Sequence, residues 1–498
     1  MGDLDEDGLN GGNVRLIRFH TRQLKGQIAL AVLLSFIGLV IGYLAAIPGY
    51  YRLLLALTVF CCLIAVSVRK PMFALIVLII LLPFTALFRR VLIPLSGWTS
   101  FDPLLLVAPA LILILGAHWF VKKWVFDREP IAADTRLFKL VLLFLLLSCI
   151  QIFNPLQGSL MVGAGGVLYF IVPLLWMVLG KEYMNLRYIR MVYASVYTIA
   201  VGVALYGIKQ SQFGFAPFEE AWVELGGYAA LKVGERIRAF SVFPSSQEFA
   251  FYLAISFMIG WAYLLRGRWK WKIPVLCTLP IIGYALFMTS ARTPVILTAL
   301  SITIVTCLVC RSIRARMLVV LVMMVVGYFA FEGLNRLVGS DNDFIAHQVN
   351  GLLNPLDEEH STLNLHLGYF MNGIIKGFTV PIGHGLGSST LAAKTFAANA
   401  QDTEYDISDI MVSHGIIGGV LYAMIMVMVF RLLFSMPRQE PLHIALTGIL
   451  LATIGFWLIG EIASVSAVLW LSIGYMDNVM MHHRWNTLKR ERTPSGAG

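Results

Sequence analysis

Apolar stretches of 17–24 residues recur along this chain, most of them separated only by short polar hinges. A helix rises about 1.5 Å per residue, so each stretch is long enough to cross about 30 Å of hydrocarbon. Fourteen such spans can be read: 28–47, 52–68, 72–88, 103–121, 137–153, 163–179, 191–209, 246–265, 273–290, 294–310, 317–334, 411–434, 442–459 and 462–480. In hydrocarbon a backbone amide must be satisfied within the protein, and a helix does this inside one segment. The expected fold is therefore an all-α polytopic membrane protein. Turns around Pro48-Gly49 and Thr293-Pro294 place neighbouring helices side by side. The bulk composition agrees, with 58% apolar and only 13% charged residues in 498.

Lysine and arginine set the topology. With the N-terminal tail 1–27 and the C-terminal tail 481–498 both in the cytoplasm, 27 of the 38 basic residues fall on the inner side. The net charge of +10 is thus mostly an insertion signal, and nucleic acid is not an expected partner. The basic tails instead suit an anionic inner leaflet. No removable signal peptide is expected. All six cysteines lie inside spans, and Cys307-x-x-Cys310 has no second pair, so they are expected as small apolar residues of helices and not as a metal or redox site.

Two outer segments follow from this topology, residues 210–245 and a large loop, 335–410, that divides helices 28–334 from helices 411–480. The large loop holds His347, His360, His366 and His384, a glycine turn, and the acidic run Asp402 to Asp409. His414 follows just beyond it. A connection of this length between two spans is usually functional.

The 11 outer basic residues are informative because insertion does not ask for them. They include Arg89-Arg90 after the third span, Lys209 and the pair Arg236 and Arg238 before the eighth, and Arg292 in the hairpin between the ninth and tenth. Such side chains can snorkel to headgroups. Guanidinium groups also match phosphate oxygens, and several at the outer surface would hold a lipid-linked pyrophosphate and stabilise it as a leaving group. An attacking hydroxyl would then need a base. The loop offers His384 in its glycine turn and the carboxylates Glu404 and Asp409. Asp406 and Asp409 fit a helix N-terminus, which offsets the helix dipole. Glu404 lies upstream of that cap and is the preferred carboxylate.

These residues resemble the O-antigen ligase/polymerase superfamily, over about Arg236 to Ile417. Four elements carry the resemblance: Arg238-Ala-Phe-Ser-Val-Phe-Pro-Ser-Ser-Gln247, Thr289-Ser-Ala-Arg292, Pro381-Ile-Gly-His-Gly-Leu-Gly387 and Gly415-Ile-Ile-Gly418. The resemblance implies a bacterial inner-membrane enzyme that moves a glycan from undecaprenyl pyrophosphate to a glycan acceptor hydroxyl at the periplasmic face. It implies no nucleotide sugar and, as in the family's ligases, no metal, so no cofactor is expected, and Arg238 and Arg292 would hold the pyrophosphate. The large loop would then be periplasmic, and a chain-length co-polymerase is a possible partner. Ligases of the family have a His-Asn pair eleven residues before the Gly-x-x-Gly start. Here that position is Glu404, followed by Tyr405. A polymerase of lipid-linked repeat units with a carboxylate base therefore fits better than a ligase acting on lipid A core or protein. A transporter is the reading from another class. It would place ionisable groups deep in its spans, whereas Glu332, Glu461 and Asp477 lie near span ends.

Overall fold

The computed structural model describes residues 47–99, 101–128, 134–226, 231–233, 236–336, 349, 353, 363–397, 400–436, 440–458 and 462–492. Among them, ten helices are long and apolar enough to cross a membrane. These are α1 (Pro48–Arg69), α2 (Pro71–Val91), α3 (Leu104–Phe126), α5 (Leu160–Tyr183), α6 (Leu186–Phe213), α8 (Ser246–Arg266), α9 (Trp269–Met288), α10 (Arg292–Val309), α11 (Ile313–Arg336) and α14 (Asp406–Ser435). Besides the short turns Ile93–Ser96 and Pro155–Gln157, the other helices among these residues are α4 (Arg136–Gln151), α7 (Pro217–Gly226), α12 (Leu363–Thr379), α13 (Leu391–Phe396), α15 (Pro441–Ala452) and α16 (Ala463–Arg492). Among the described residues one two-residue antiparallel ladder occurs, β1 (Lys232–Val233) with β2 (Arg236–Ile237). The expected first span, 28–47, lies almost wholly outside the described residues.

Long helices bend where their sequence removes an amide or a side chain. Pro83 sits in a 3-10 turn, Leu82–Phe84, within α2. In α5 a π-helical stretch, Val167–Ile171, runs up to Pro173, which has no N–H to give the preceding turn. The centre of the bundle is α5, α8 and α16, whose apolar side chains are buried on nearly every face. Glycines bring α5 and α16 into backbone contact. A Cβ at Gly180 would lie 2.4 Å from Leu471 O, and one at Gly474 would lie 2.1 Å from Met177 O. By contrast, α11 buries none of its side chains and presents apolar surface all round.

Two expected spans come out differently. The stretch read as 442–459 is helical only to Ala452. Beyond it, Gly455 adopts φ +84° and the backbone amides of Trp457 and Leu458 donate to the buried carboxylate of Asp406. Non-helical backbone at this depth survives because another part of the protein supplies its acceptors. The last helix continues past 480 to Arg492, through residues expected to form a tail. At the expected inner end, Lys181 joins Asp134 at 3.1 Å and Asp477 at 2.9 Å. That contact ties α5 to α16 and to the segment before α4. At the opposite end Asp102 pairs with both Arg52 and Arg89.

Candidate functional site

Four chain segments distant in sequence converge at one end of the bundle. The first is the strand-like run from Arg236 to Phe243, which enters α8. Arg238 is partly buried there, and its Nε donates to Thr289 O at 3.2 Å. Thr289 belongs to the second segment, the turn Thr289-Ser-Ala291 between α9 and α10, and Arg292 opens α10. Burial lowers Arg238 from the ordinary arginine range to about 10, helped by the nearby charge of Arg292. Both guanidinium groups remain cationic at neutral pH.

The third segment is α12, which packs along α14, and the fourth is the run 400–405 leading into α14. His366 of α12 places Nδ1 3.2 Å from Glu404 Oε2, off line for a well-formed hydrogen bond but within ion-pair range. Glu404 raises His366 above its ordinary 6.5, first by this contact and further by its charge. Desolvation and Arg292 oppose that shift, which places Arg292 within electrostatic reach of the imidazole. The Glu404 amide is fixed by Ser408 Oγ at 3.2 Å. Two arginines, a histidine and a carboxylate thus share one partly buried region.

Backbone strain gathers at the same place. Among the described residues only Arg128, Ser241, Ser290 and Tyr405 combine a side chain with positive φ. Three of these border the cluster: Ser241 follows Arg238, Ser290 lies between Thr289 and Arg292, and Tyr405 follows Glu404. Each costs of order 1–3 kcal/mol and persists only where its surroundings over-determine it. Ser241 shows how: its amide donates to Gln210 Oε1 at 2.6 Å and its hydroxyl to Val203 O at 2.7 Å.

Several other residues expected at the site engage neighbouring backbone. Both terminal nitrogens of Arg90 donate to carbonyls, Phe243 O at 3.0 Å and Ser241 O at 2.8 Å, and its guanidinium stacks on Phe240. Arg90 therefore braces the 240–243 segment from beneath. Arg89 packs over Trp222 and pairs with Asp102. Lys209 Nζ donates to Gly214 O at the end of α6. Arg236 pairs with Val233 in the β-ladder. Thr403 Oγ1 donates to Asp409 at 3.1 Å, fixing the entry to α14.

His384 and its glycines form a knot around a break in α14. Gly415 adopts φ +67° inside that helix, where a Cβ would lie 2.0 Å from Pro381 O. The freed carbonyls take new donors: His384 N reaches Val412 O at 2.8 Å and Gly385 N reaches Ser413 O at 3.1 Å. Gln151 and Asn154 bind the same turn through Ile382 O and Gly383 O. His414 is enclosed between Phe144 and Phe170, with Ser148 and Ser413 on its two nitrogens. The glycine turn thus positions α14 and its preceding segment, which carries Glu404. His347 and His360 lie outside the described residues.

Sequence reasoning singled out Glu404, Arg238 and Arg292 but gave His366 no role. No motif marks it, since its partner is brought to it only by the packing of α12 along α14. Buried Glu248, which accepts from the backbone amide and the hydroxyl of Ser464, is a second carboxylate that sequence reasoning did not single out; it joins α8 to α16. No protein-family model matches this chain, and comparison with curated proteins gives no match.

Proposed function

We propose that this chain is a membrane glycosyltransferase that joins lipid-linked oligosaccharide repeat units at the outer face of a bacterial inner membrane. In this reading fourteen spans leave both termini in the cytoplasm, and the segment 335–410 is periplasmic. Undecaprenyl pyrophosphate carries the donor glycan, and a second glycan supplies the attacking hydroxyl. The observation that carries the reading is the convergence of Arg238 and Arg292 beside His366 and Glu404. The two cations suit a diphosphate at headgroup level and stabilise charge as it develops on the leaving group. The imidazole–carboxylate pair supplies a base for the hydroxyl. Arg90 and the knot around Gly415 hold this arrangement, and the strained residues beside it fit a preorganised site.

A translocation pathway has less support. Among the buried ionisable groups of the described residues, Lys181, Asp477, Asp406 and Glu248 each hold neighbouring elements together. The test is Arg238→Ala and Arg292→Ala, each in cells, read on a gel ladder of surface polysaccharide. Either substitution should collapse the ladder to single repeat units. Full-length polymer from both would remove the pyrophosphate role.

A further inference from the structure

We propose that His366 Nε2, rather than a carboxylate, takes the proton from the acceptor hydroxyl, and that Glu404 is the positioning residue that holds the imidazole. This rests on the glycosyltransferase reading above and deepens it. The Glu404 carboxylate lies 3.2 Å from Nδ1, and its negative charge favours the tautomer with the proton on that nitrogen, which leaves Nε2 as the accepting atom. An ordinary histidine is a base stronger than an ordinary glutamate by roughly two pKa units, so an imidazole nearby is the better proton acceptor near neutral pH. The backbone of Glu404 is itself held, by Ser408 on its amide and by the strained Tyr405 that follows it. That clamping suits a group whose task is orientation.

The step balances simply. The hydroxyl proton passes to Nε2, its oxygen forms a bond to the anomeric carbon of the donor, and the bond from that carbon to the pyrophosphate oxygen breaks. The electron pair leaves with the pyrophosphate, held by Arg238 and Arg292. Glu404 stabilises the imidazolium until it releases its proton to solvent. Among the described residues, the charged groups that act on His366 are Glu404, from the segment before α14, and Arg292, at the start of α10. Asp409 of α14 is engaged by Thr403 instead.

A pair that merely pinned α12 to α14 would show the same contact, so the test needs a readout that pinning would not move. Full-length protein in lipid nanodiscs is given the lipid-linked oligosaccharide pool extracted from cells lacking this chain. The elongation rate should fall on the acid side with an apparent pKa above 6.5. Glu404→Gln should move that limb to lower pH and lower the rate on the alkaline plateau by roughly 100-fold or more. His366→Ala should be nearly inactive and recover about tenfold or more with added imidazole. Isotope-edited NMR of the histidines reads the same coupling without turnover: the His366 titration should shift to lower pH in Glu404→Gln. An acid limb and a titration that stay put, or a His366→Ala variant indifferent to imidazole, would overturn the pair while leaving the transferase reading in place. A wild-type protein that elongates nothing from the pool would remove that reading, and this proposal with it.

Discussion

Replacing Arg90 with methionine separates bracing from ligand binding at the arginine-rich end. The guanidinium supplies the hydrogen bond to the Phe243 carbonyl, and removing it leaves a buried acceptor that costs about 1–3 kcal/mol. The Ser241 carbonyl keeps Gln210 Nε2 at 3.2 Å, so its loss is nearer about 1 kcal/mol. Stacking on Phe240 at 4.7 Å contributes a further 0.5–2 kcal/mol or about that. Methionine escapes the desolvation of a buried charge, which brings the net toward the lower end, about 3 kcal/mol of destabilisation. Equilibrium unfolding in mixed detergent micelles, followed by tryptophan fluorescence, measures it directly, since Trp222 lies 5.7 Å from this guanidinium. The folded fraction should still bind undecaprenyl pyrophosphate. Unchanged stability together with lost lipid binding would refute the bracing role and make Arg90 a phosphate ligand.

Gly415→Ala combines a positive φ with a Cβ placed 2.0 Å from Pro381 O, and should destabilise by about 3 kcal/mol or more, visible as loss of monodisperse protein on size exclusion. Asp406→Asn must turn its NH2 either toward the Leu458 amide or toward the Trp457 amide and the Tyr422 hydroxyl, and should cost about 3 kcal/mol in the same unfolding assay. Arg238 is cationic below about 10, so affinity for undecaprenyl pyrophosphate should be level from neutral pH upward and fall as pH rises through that value. Binding of a fluorescent analogue across pH reads this, and a decline centred well below 9 would contradict it. Elongation should survive EDTA, and its loss with recovery on Mg²⁺ would contradict a metal-free transfer.

The apolar spans were legible because hydropathy is a local property and a bilayer demands it of each helix separately. The break after Ala452 was not, because that backbone depends on Asp406, an acceptor delivered by a different helix. Similarly, the sequence marks Arg90 as a cation that insertion does not require, but the Phe243 and Ser241 carbonyls it holds are known only once α2 meets the 240–243 segment. Arg238 and Arg292 were recognisable from short polar motifs beside span ends. His366 carries no such motif and acquires meaning only through Glu404. Asp406 and Asp409 looked alike in sequence as capping acids; in three dimensions one anchors the loop after α15 and the other fixes the entry to α14.

The central claim is that Arg238 and Arg292 grip one diphosphate. A cryo-electron microscopy map of the full-length protein in nanodiscs with undecaprenyl pyrophosphate tests it most directly. Phosphate oxygens should lie within about 3 Å of both guanidinium groups, with His366 and Glu404 facing the same cavity. A headgroup bound elsewhere on the outer face, with both arginines turned from it, would contradict the account.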